Sequence, residues 1–429
     1  MKAKMLKLAV FVLLFFISGV LVAQTNQLNP DDVRNYGAVC GSAGSYAANT
    51  QAVQAALQAR GTAFIPPCAL YVSNITLASG NKIYGEGAAS NLIAAGTLTA
   101  TGLLNCSGCN GFDVESLSIT DTTSQRLNGL SGITCTSGCA DVHIAGNIVQ
   151  GNYGILLTDG NTVYVDKNVV TAYGDDSGSN IAGAGIAVQG TTTDGYGYNC
   201  GGAVGSFVHV TNNIVSGAST GTPAGIIYCQ SNYGDVSNNT LNNPGYFGIT
   251  VRGPNITQLS VAGNRVYNSI HEAIIVGEGA TLVSVSNNVL LFGASSIDYG
   301  LTLDGSQGTV TQVHVNGNSF QSCSLTCIYL TDAVNFSFVT GNSVVNTNQS
   351  NTQSQAGVVT TGSGNQYNTI SNNYISNTSA RLGYIILELN GPSGMPSHNV
   401  YMDNSGFNMS TGTFSIGNAS LNINNQLFK

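Results

Sequence analysis

Between residues 246 and 304 the sequence gathers Tyr246, Arg252, His271, Glu272, Glu278, Asp298 and Asp304. Only 7% of the chain is charged, and this is its densest ionisable group. Two carboxylates held close together suit glycosidic chemistry, one giving a proton to the leaving oxygen while the other acts as base or nucleophile. Asp304 and Glu278 are the candidates for that pair, with His271 and Glu272 beside them. Arg252 would serve instead as base or uronate clamp in an eliminating enzyme. Tyr246 and Asp298 are expected to touch substrate. The competing reading is a solvated face on which Arg252 simply pairs with Glu278.

A second group lies upstream. The stretch YGDDSGSN, with Asp175, Asp176 and the nearby Asp194, offers oxygen ligands of the kind calcium takes, although no complete EF-type spacing is present. An ordinary polar loop competes with that reading. Tyr173, Tyr196 and Tyr198 make the same region a candidate lid against a glycan. His143, His209 and His314 each stand four places before a recurring Asn. One stacked layer apart would mean about 4.8 Å, so His143 and His209, two layers apart, are too distant for one metal. They read as outward strand residues, with a sugar-stacking strip as the alternative.

These residues need a scaffold, and the sequence repeats one. VHIAGNIV, VYVDKNVV, VHVTNNIV, LSVAGNRV, VSVSNNV and VHVNGNSF are versions of one phrase. Its last Asn falls at 147, 168, 213, 239, 264, 288, 318, 342, 373 and 404, a spacing of 20–50 residues that signals stacked units. Each unit carries a second short strand opened by a small residue, as in Gly154-Ile, Gly185-Ile, Gly225-Ile, Gly248-Ile, Ala273-Ile and Gly300-Leu. Short strands, Gly and Asn turns and no helical period between them predict an all-β, parallel β-helix. In such a coil an inward Asn donates to the Asn of one layer and accepts from the Asn of the other, which predicts an internal Asn ladder. Alternation along the Gly-Ile strands sets Thr158, Gln189, Cys229, Arg252, Gly277, Asp304 and Thr331 in one outward column. The gap between Asn168 and Asn213 holds one Gly-Ile strand, at 185–188, so it reads as one coil with two loops, near 173–184 and 190–205.

Residues 1–23 have the layout of a secretory signal peptide: Lys2, Lys4 and Lys7, an apolar run from Leu8 to Val22, then Ala23. The run is shorter than the ~20 residues that span a bilayer, and no later segment is long enough to span. Loss of those three lysines takes the basic count from 12 to 9 against 20 acids, a charge of −11. Such a chain does not suit nucleic acid or an anionic membrane. The ten cysteines of an exported chain read as disulfides, with Cys40–Cys68, Cys200–Cys229 and Cys323–Cys327 as expected pairs. Zinc at Cys106-x-x-Cys109 or Cys135-x-x-x-Cys139 is the weaker alternative, since no His has zinc-finger spacing. The expected organisation is an N-terminal cap and first coils over 24–100, β-helix repeats over 101–410, and a last coil or cap over 411–429.

Residues 32–93 resemble the start of pectate-lyase-superfamily proteins, the pectin-lyase-like right-handed β-helices. The resemblance rests on Val33-Arg-Asn-Tyr-Gly-Ala, a helix Thr50–Arg60 capped by Asn49, Phe64-Ile-Pro-Pro, Leu70-Tyr-Val and Ile83-Tyr-Gly-Glu-Gly. It implies a right-handed coil plugged by that helix and, often, action on polysaccharide. The chain departs from the family at Gly44-Ser-Tyr-Ala-Ala-Asn-Thr50, where relatives carry an acidic run. Polygalacturonases resemble this fold too, but Asp159 and Asp176 are 17 residues apart, less than one coil, and Gly-His-Gly and Arg-x-Lys are absent. Two readings stand: a secreted glycosidase or lyase, needing no cofactor beyond the calcium of the 175–194 loop, or a non-catalytic adhesin, matrix or glycan-binding β-helix. A polysaccharide or cell-surface glycan is the partner in both, and assembly into a homotrimer stays open.

Overall fold

The computed structural model describes residues 29–96, 98, 102–120, 131–151, 153–172, 183–190, 200–202, 205–217, 224–229, 231–293, 299–348, 355–381, 383–390, 394–409, 414–417 and 420–428. Each coil contributes one strand to each of three parallel sheets, which hold 15, 14 and 13 strands among the described residues. Sheet 1 takes the strand before the repeated Asn, such as Ala140–Ala145. Sheet 2 takes the strand after it, such as Ile148–Gly151. Sheet 3 takes the strand opened by the small residue, such as Tyr153–Thr158. Strands pair in register with those one coil away, as in Val163 against Val142 and Val208. The expected parallel β-helix is therefore the fold.

Alternation explains the core. Inward Val210, Val236, Val261, Val285 and Val315 of sheet 1 are fully buried in one stack. Each is worth roughly 1.5–3 kcal/mol of burial. The small residue opening sheet 3 is needed because the coil is narrow there. A Cβ on Gly185 would overlap Val215 and lie 2.7 Å from the Gly225 carbonyl.

The Asn ladder runs through the interior from Asn147 to Asn425. Asn264 donates from its amide to Asn288 Oδ1 at 3.0 Å and to the Val236 carbonyl at 2.8 Å, and its backbone N–H also donates to Asn288 Oδ1 at 2.9 Å. Asn239 donates in the same way to Asn264. The ladder reaches Asn425 beyond Asn404, one coil further than the repeated phrase indicates. A second, shorter ladder joins Asn368 to Asn399 at 3.1 Å in the last coils. There the inward Glu388 carboxylate accepts from Tyr401 and Ser420 hydroxyls at 2.7 Å. Burial first, and then the Glu388 charge, raises the Tyr401 phenol well above its ordinary value.

Asn168 donates directly to Asn213, so the 45-residue interval is one coil, as its single Gly-Ile strand predicts. Helix α1 (Tyr46–Arg60) starts four residues earlier than expected and plugs the first coil with Ala52, Val53, Ala56 and Leu57. Asn49 does not cap it. The residue lies inside the helix, buried, its Oδ1 accepting from the Val39 N–H and its Nδ2 donating to the Tyr71 carbonyl. That anchoring to the first coil uses the amide a cap would have spent on the helix's own N–H groups. All five bridges close between neighbours: Cys40–Cys68, Cys106–Cys109, Cys135–Cys139, Cys200–Cys229 and Cys323–Cys327. Several disulfides suit a non-cytoplasmic protein. Among the described residues no helix is long and apolar enough to cross a membrane.

Candidate functional site

The outward column falls on the outer face of sheet 3 as the alternation requires. Arg252 pairs in register with Cys229 and Gly277, Gly277 with Asp304, and Asp304 with Thr331. Four coils thus set out a grid. One row holds Arg252, Gly277, Asp304 and Thr331. The next row, one residue along, holds Gly253, Glu278, Gly305 and Asp332. The row on the other side holds Thr250, Ile275, Thr302 and Tyr329.

The face is not solvated, which corrects one of the two expectations for it. Arg252 is 2% exposed and Glu278 and Asp304 are each 8% exposed. The expected ion pair does form: Arg252 Nη1 donates to Glu278 Oε1 at 3.0 Å. Burying both charges is costly and is offset only if the pair is well made. Asp304 Oδ1 accepts from the Ser306 N–H at 3.0 Å, which fixes its carboxyl from one side. On the other side a Cβ at Gly277 would come within 3.4 Å of Asp304 Cβ and 4.0 Å of its Cγ. Asp304 therefore stands beside the position that Gly277 leaves bare, two coils from Arg252.

Two further features mark the grid. Glu278 and Asp332 adopt φ +58° and +60°, and Asp159 does so on an earlier coil at +56°. Gly253 and Gly362 occupy equivalent places at φ +123° and +88°, a conformation glycine takes freely and acids do not. Thr331 donates to Asp332 Oδ2 at 3.1 Å and accepts from Thr361 at 3.3 Å, so this third carboxylate is held by a hydroxyl chain. Thr250 and Thr302 are buried on the outer face with hydroxyls that have no hydrogen-bond partner among the described residues. Buried, unsatisfied hydroxyls are rare in folded proteins, and each asks for a cause such as a catalytic role or an ordered water or ion.

Rings border the other end. Tyr246 stacks on His271 at 4.7 Å, and Tyr299 stacks on Tyr329 at 4.5 Å. Arg252 lies 6.0 Å over the Phe247 ring. Glu272 lies beside His271 at the start of the next strand. The structure thus brings Tyr246, Arg252, His271, Glu278 and Asp304 onto one face, with Glu272 next to His271 in the chain. Asp298, Tyr173, Tyr196, Tyr198, Asp175, Asp176 and Asp194 lie outside the described residues. Phe247 and Asp332, each adjacent to an expected position, and Tyr329, which was not singled out, complete the grid with Gly277 of the expected column. Their signal was present, since each sits at an outward or turn position of the same repeat. The Cys200–Cys229 bridge ties the segment before sheet 1 to the position next to Arg252.

Asp159 stands apart. Its Oδ1 is buried without a partner among the described residues, and burial raises its carboxyl above the ordinary range. Among the described residues no group of three His, Cys, Asp or Glu side chains is placed to hold a metal.

No protein-family model matches the sequence, and neither does any curated protein. Solved structures share the coil. The A-module of a mannuronan C-5 epimerase from Azotobacter vinelandii superposes with a TM-score of 0.60 at 16% identity, over 93% of this chain and 99% of its own. The catalytic unit of an alpha-1,3-glucanase from Streptomyces thermodiastaticus gives 0.62 at 16% identity, over 92% and 70%. Tailspike protein 3 of bacteriophage CBA120 gives 0.60 at 13% identity, over 92% and 61%. At such identities the likeness shows the fold, a right-handed, pectate-lyase-like parallel β-helix.

Proposed function

We propose that this chain is an exported, carbohydrate-directed β-helix protein that hydrolyses a glycan on the outer face of sheet 3. The observation that carries the reading is the pair Asp304 and Glu278 on adjacent coils, one beside the bare position of Gly277 and the other anchored by Arg252 at 3.0 Å. Asp304 is the proposed proton donor and acceptor, and Glu278 the second carboxylate. The stacked Tyr246 and His271 rings give a platform for a sugar face, and Thr250 and Thr302 have hydrogen bonds to offer. The grid carries three acids, Glu278, Asp304 and Asp332, against one arginine, which favours a neutral glycan over a polyuronate. Export rests on the N-terminal leader pattern together with the five bridges. Structural neighbours named for action on mannuronan and alpha-1,3-glucan support a carbohydrate substrate.

A second reading, a non-catalytic glycan-binding or surface β-helix, draws on the same ion pair. A buried Arg252–Glu278 pair already accounts for two of the charges as structure. One experiment separates the readings. The purified protein is incubated with neutral and acidic polysaccharides, with and without calcium, the cation that Asp175, Asp176 and Asp194 would hold. New reducing ends without ultraviolet absorbance mean a hydrolase. Reducing ends together with the absorbance of unsaturated uronates mean a lyase. Silence across the panel in folded protein supports the second reading. Sedimentation of the same sample reads out a trimer.

A further inference from the structure

The turn leading into sheet 1 carries a feature that the sheet 3 site does not use. On successive coils one turn position is left-handed, and large side chains fill it. Phe207 and Tyr233 adopt φ +55° and +52°, and Phe336, Tyr367 and His398 adopt +51°, +59° and +57°. Gln258, Leu282 and Gln312 hold the same position between the two groups, at φ +55°, +54° and +55°. For bulky side chains this conformation is a steric outlier, and Asn or Gly would fill it at lower cost. The strain does not serve the core. Phe207, Tyr233, Phe336 and Tyr367 are 47–53% exposed.

The rings are ordered as well as exposed. Phe207 stacks on Tyr233 at 5.5 Å, Phe336 on Tyr367 at 5.2 Å, and Tyr367 on His398 at 5.2 Å. Two residues along, on the sheet itself, Tyr164 stacks on His209 at 5.0 Å and His314 meets Phe338 at 4.9 Å. Two aromatic clusters result, with four coil steps from Tyr233 to Phe336, about 19 Å at the spacing of parallel strands. Between them lie Gln258, Gln312, Ser260 and Ser284, which donate and accept hydrogen bonds.

We infer that this ridge is a second glycan-binding surface, distinct from the sheet 3 face, which holds one extended neutral polysaccharide chain along the coil axis. Three observations select that occupant. A row one residue wide, with polar side chains between its rings, fits a linear ligand that presents alternating C–H faces and hydroxyls. It does not offer the roughly 800 Å² per partner that a stable protein interface buries. The turn position and the sheet 1 positions two and four residues beyond it hold no Lys or Arg from Asp141 to Met402, while Asp141, Asp166 and Asp235 are acidic. Lys167 at the edge of the ridge already pairs with Asp166 at 2.9 Å, so a polyuronate or phosphorylated polymer would meet acids and a paired cation there. The step between coils is also close to the advance per sugar of an extended glycan, so successive rings can follow successive sugars.

The inference rests on a carbohydrate partner but not on catalysis, and the test keeps the two apart. Affinity electrophoresis is run through gels containing neutral glucans, mannans or xylans. The full chain is compared with Phe207→Asn/Tyr233→Asn, with Phe336→Asn/Tyr367→Asn, and with all four changes together. Asn removes the ring and relieves the left-handed backbone, so each variant is expected to melt no lower than the parent. Retardation by at least one neutral polysaccharide is expected, weakened about tenfold or more in a double variant and further in the fourfold one. If the parent binds none of these polymers, or if the fourfold variant binds as well as the parent, the inference fails. It fails also if the ring variants melt lower, since the rings would then be structural, or if sedimentation shows a parent dimer that the variants dissociate. Retardation without any hydrolysis would leave this surface standing and remove the hydrolase reading alone.

Discussion

The Asn ladder and the outer face of sheet 3 are both buried and polar, yet they are built on opposite rules. Every ladder Asn repeats its neighbour's hydrogen bonds, and each amide is satisfied by the next coil. The sheet 3 face repeats nothing. Arg252, Gly277 and Asp304 follow one another in a single row, acids stand where other coils have glycine, and two hydroxyls have no partner among the described residues. In a solenoid, uniformity within a column reports architecture, because each coil solves the same packing problem. Departure from the column reports a local task whose cost the uniform coils carry.

The comparison breaks most visibly at Asp304. Asp304→Asn keeps size and shape while removing the proton-transfer group. Its turnover on the substrate found by the panel is expected to fall roughly 10²–10⁴-fold, with the melting temperature unchanged. Turnover equal to the parent's would move the chemistry elsewhere. Next in size, Arg252→Ala takes the cation from a buried carboxylate and is expected to cost about 3–5 kcal/mol in urea unfolding. Arg252→Met/Glu278→Gln should recover most of that loss. Equal costs for both variants would mean that the pair is not the origin. On the ladder, Asn264→Ala strands the N–H and amide of Asn239, at a cost of about 3 kcal/mol. Denaturation of that variant should shift while turnover per folded molecule holds.

The smallest effect is expected at Asp159. Burial raises its carboxyl, so the folded state favours the protonated form. Its contribution to stability is full below the unfolded value and is lost as pH rises through the raised folded value. Asp159→Asn should therefore stabilise the protein modestly near neutral pH, with the gain fading in acid. A melt series across pH that showed a loss at neutral pH would mean that the carboxylate has a partner of its own.

Periodicity made the coil, the ladder and the outward column readable, because alternation and an Asn every coil leave few other arrangements. Asn425 escaped because its inward neighbour is Asn422, in register with Tyr401, where the phrase calls for an apolar residue. Asn49 was misread because a helix start and a tertiary clamp ask for the same amide. The Arg252–Glu278 contact was legible from its one-coil offset, but its burial was not, since alternation sets a residue outward without saying what lies over it. The ridge from Phe207 to His398 hid for another reason. Left-handed turns are expected at Gly or Asn, and nothing in the types Phe and Tyr announces that backbone.

The central claim is that the repeated interior is architecture and the irregular face of sheet 3 is function. It is tested most directly by measuring melting temperature and turnover together for Asn264→Ala and Asp304→Asn. The account predicts opposite losses: stability without turnover per folded molecule for the first, turnover without stability for the second. It is contradicted if Asp304→Asn unfolds as readily as the ladder variant, or if it cleaves as fast as the parent.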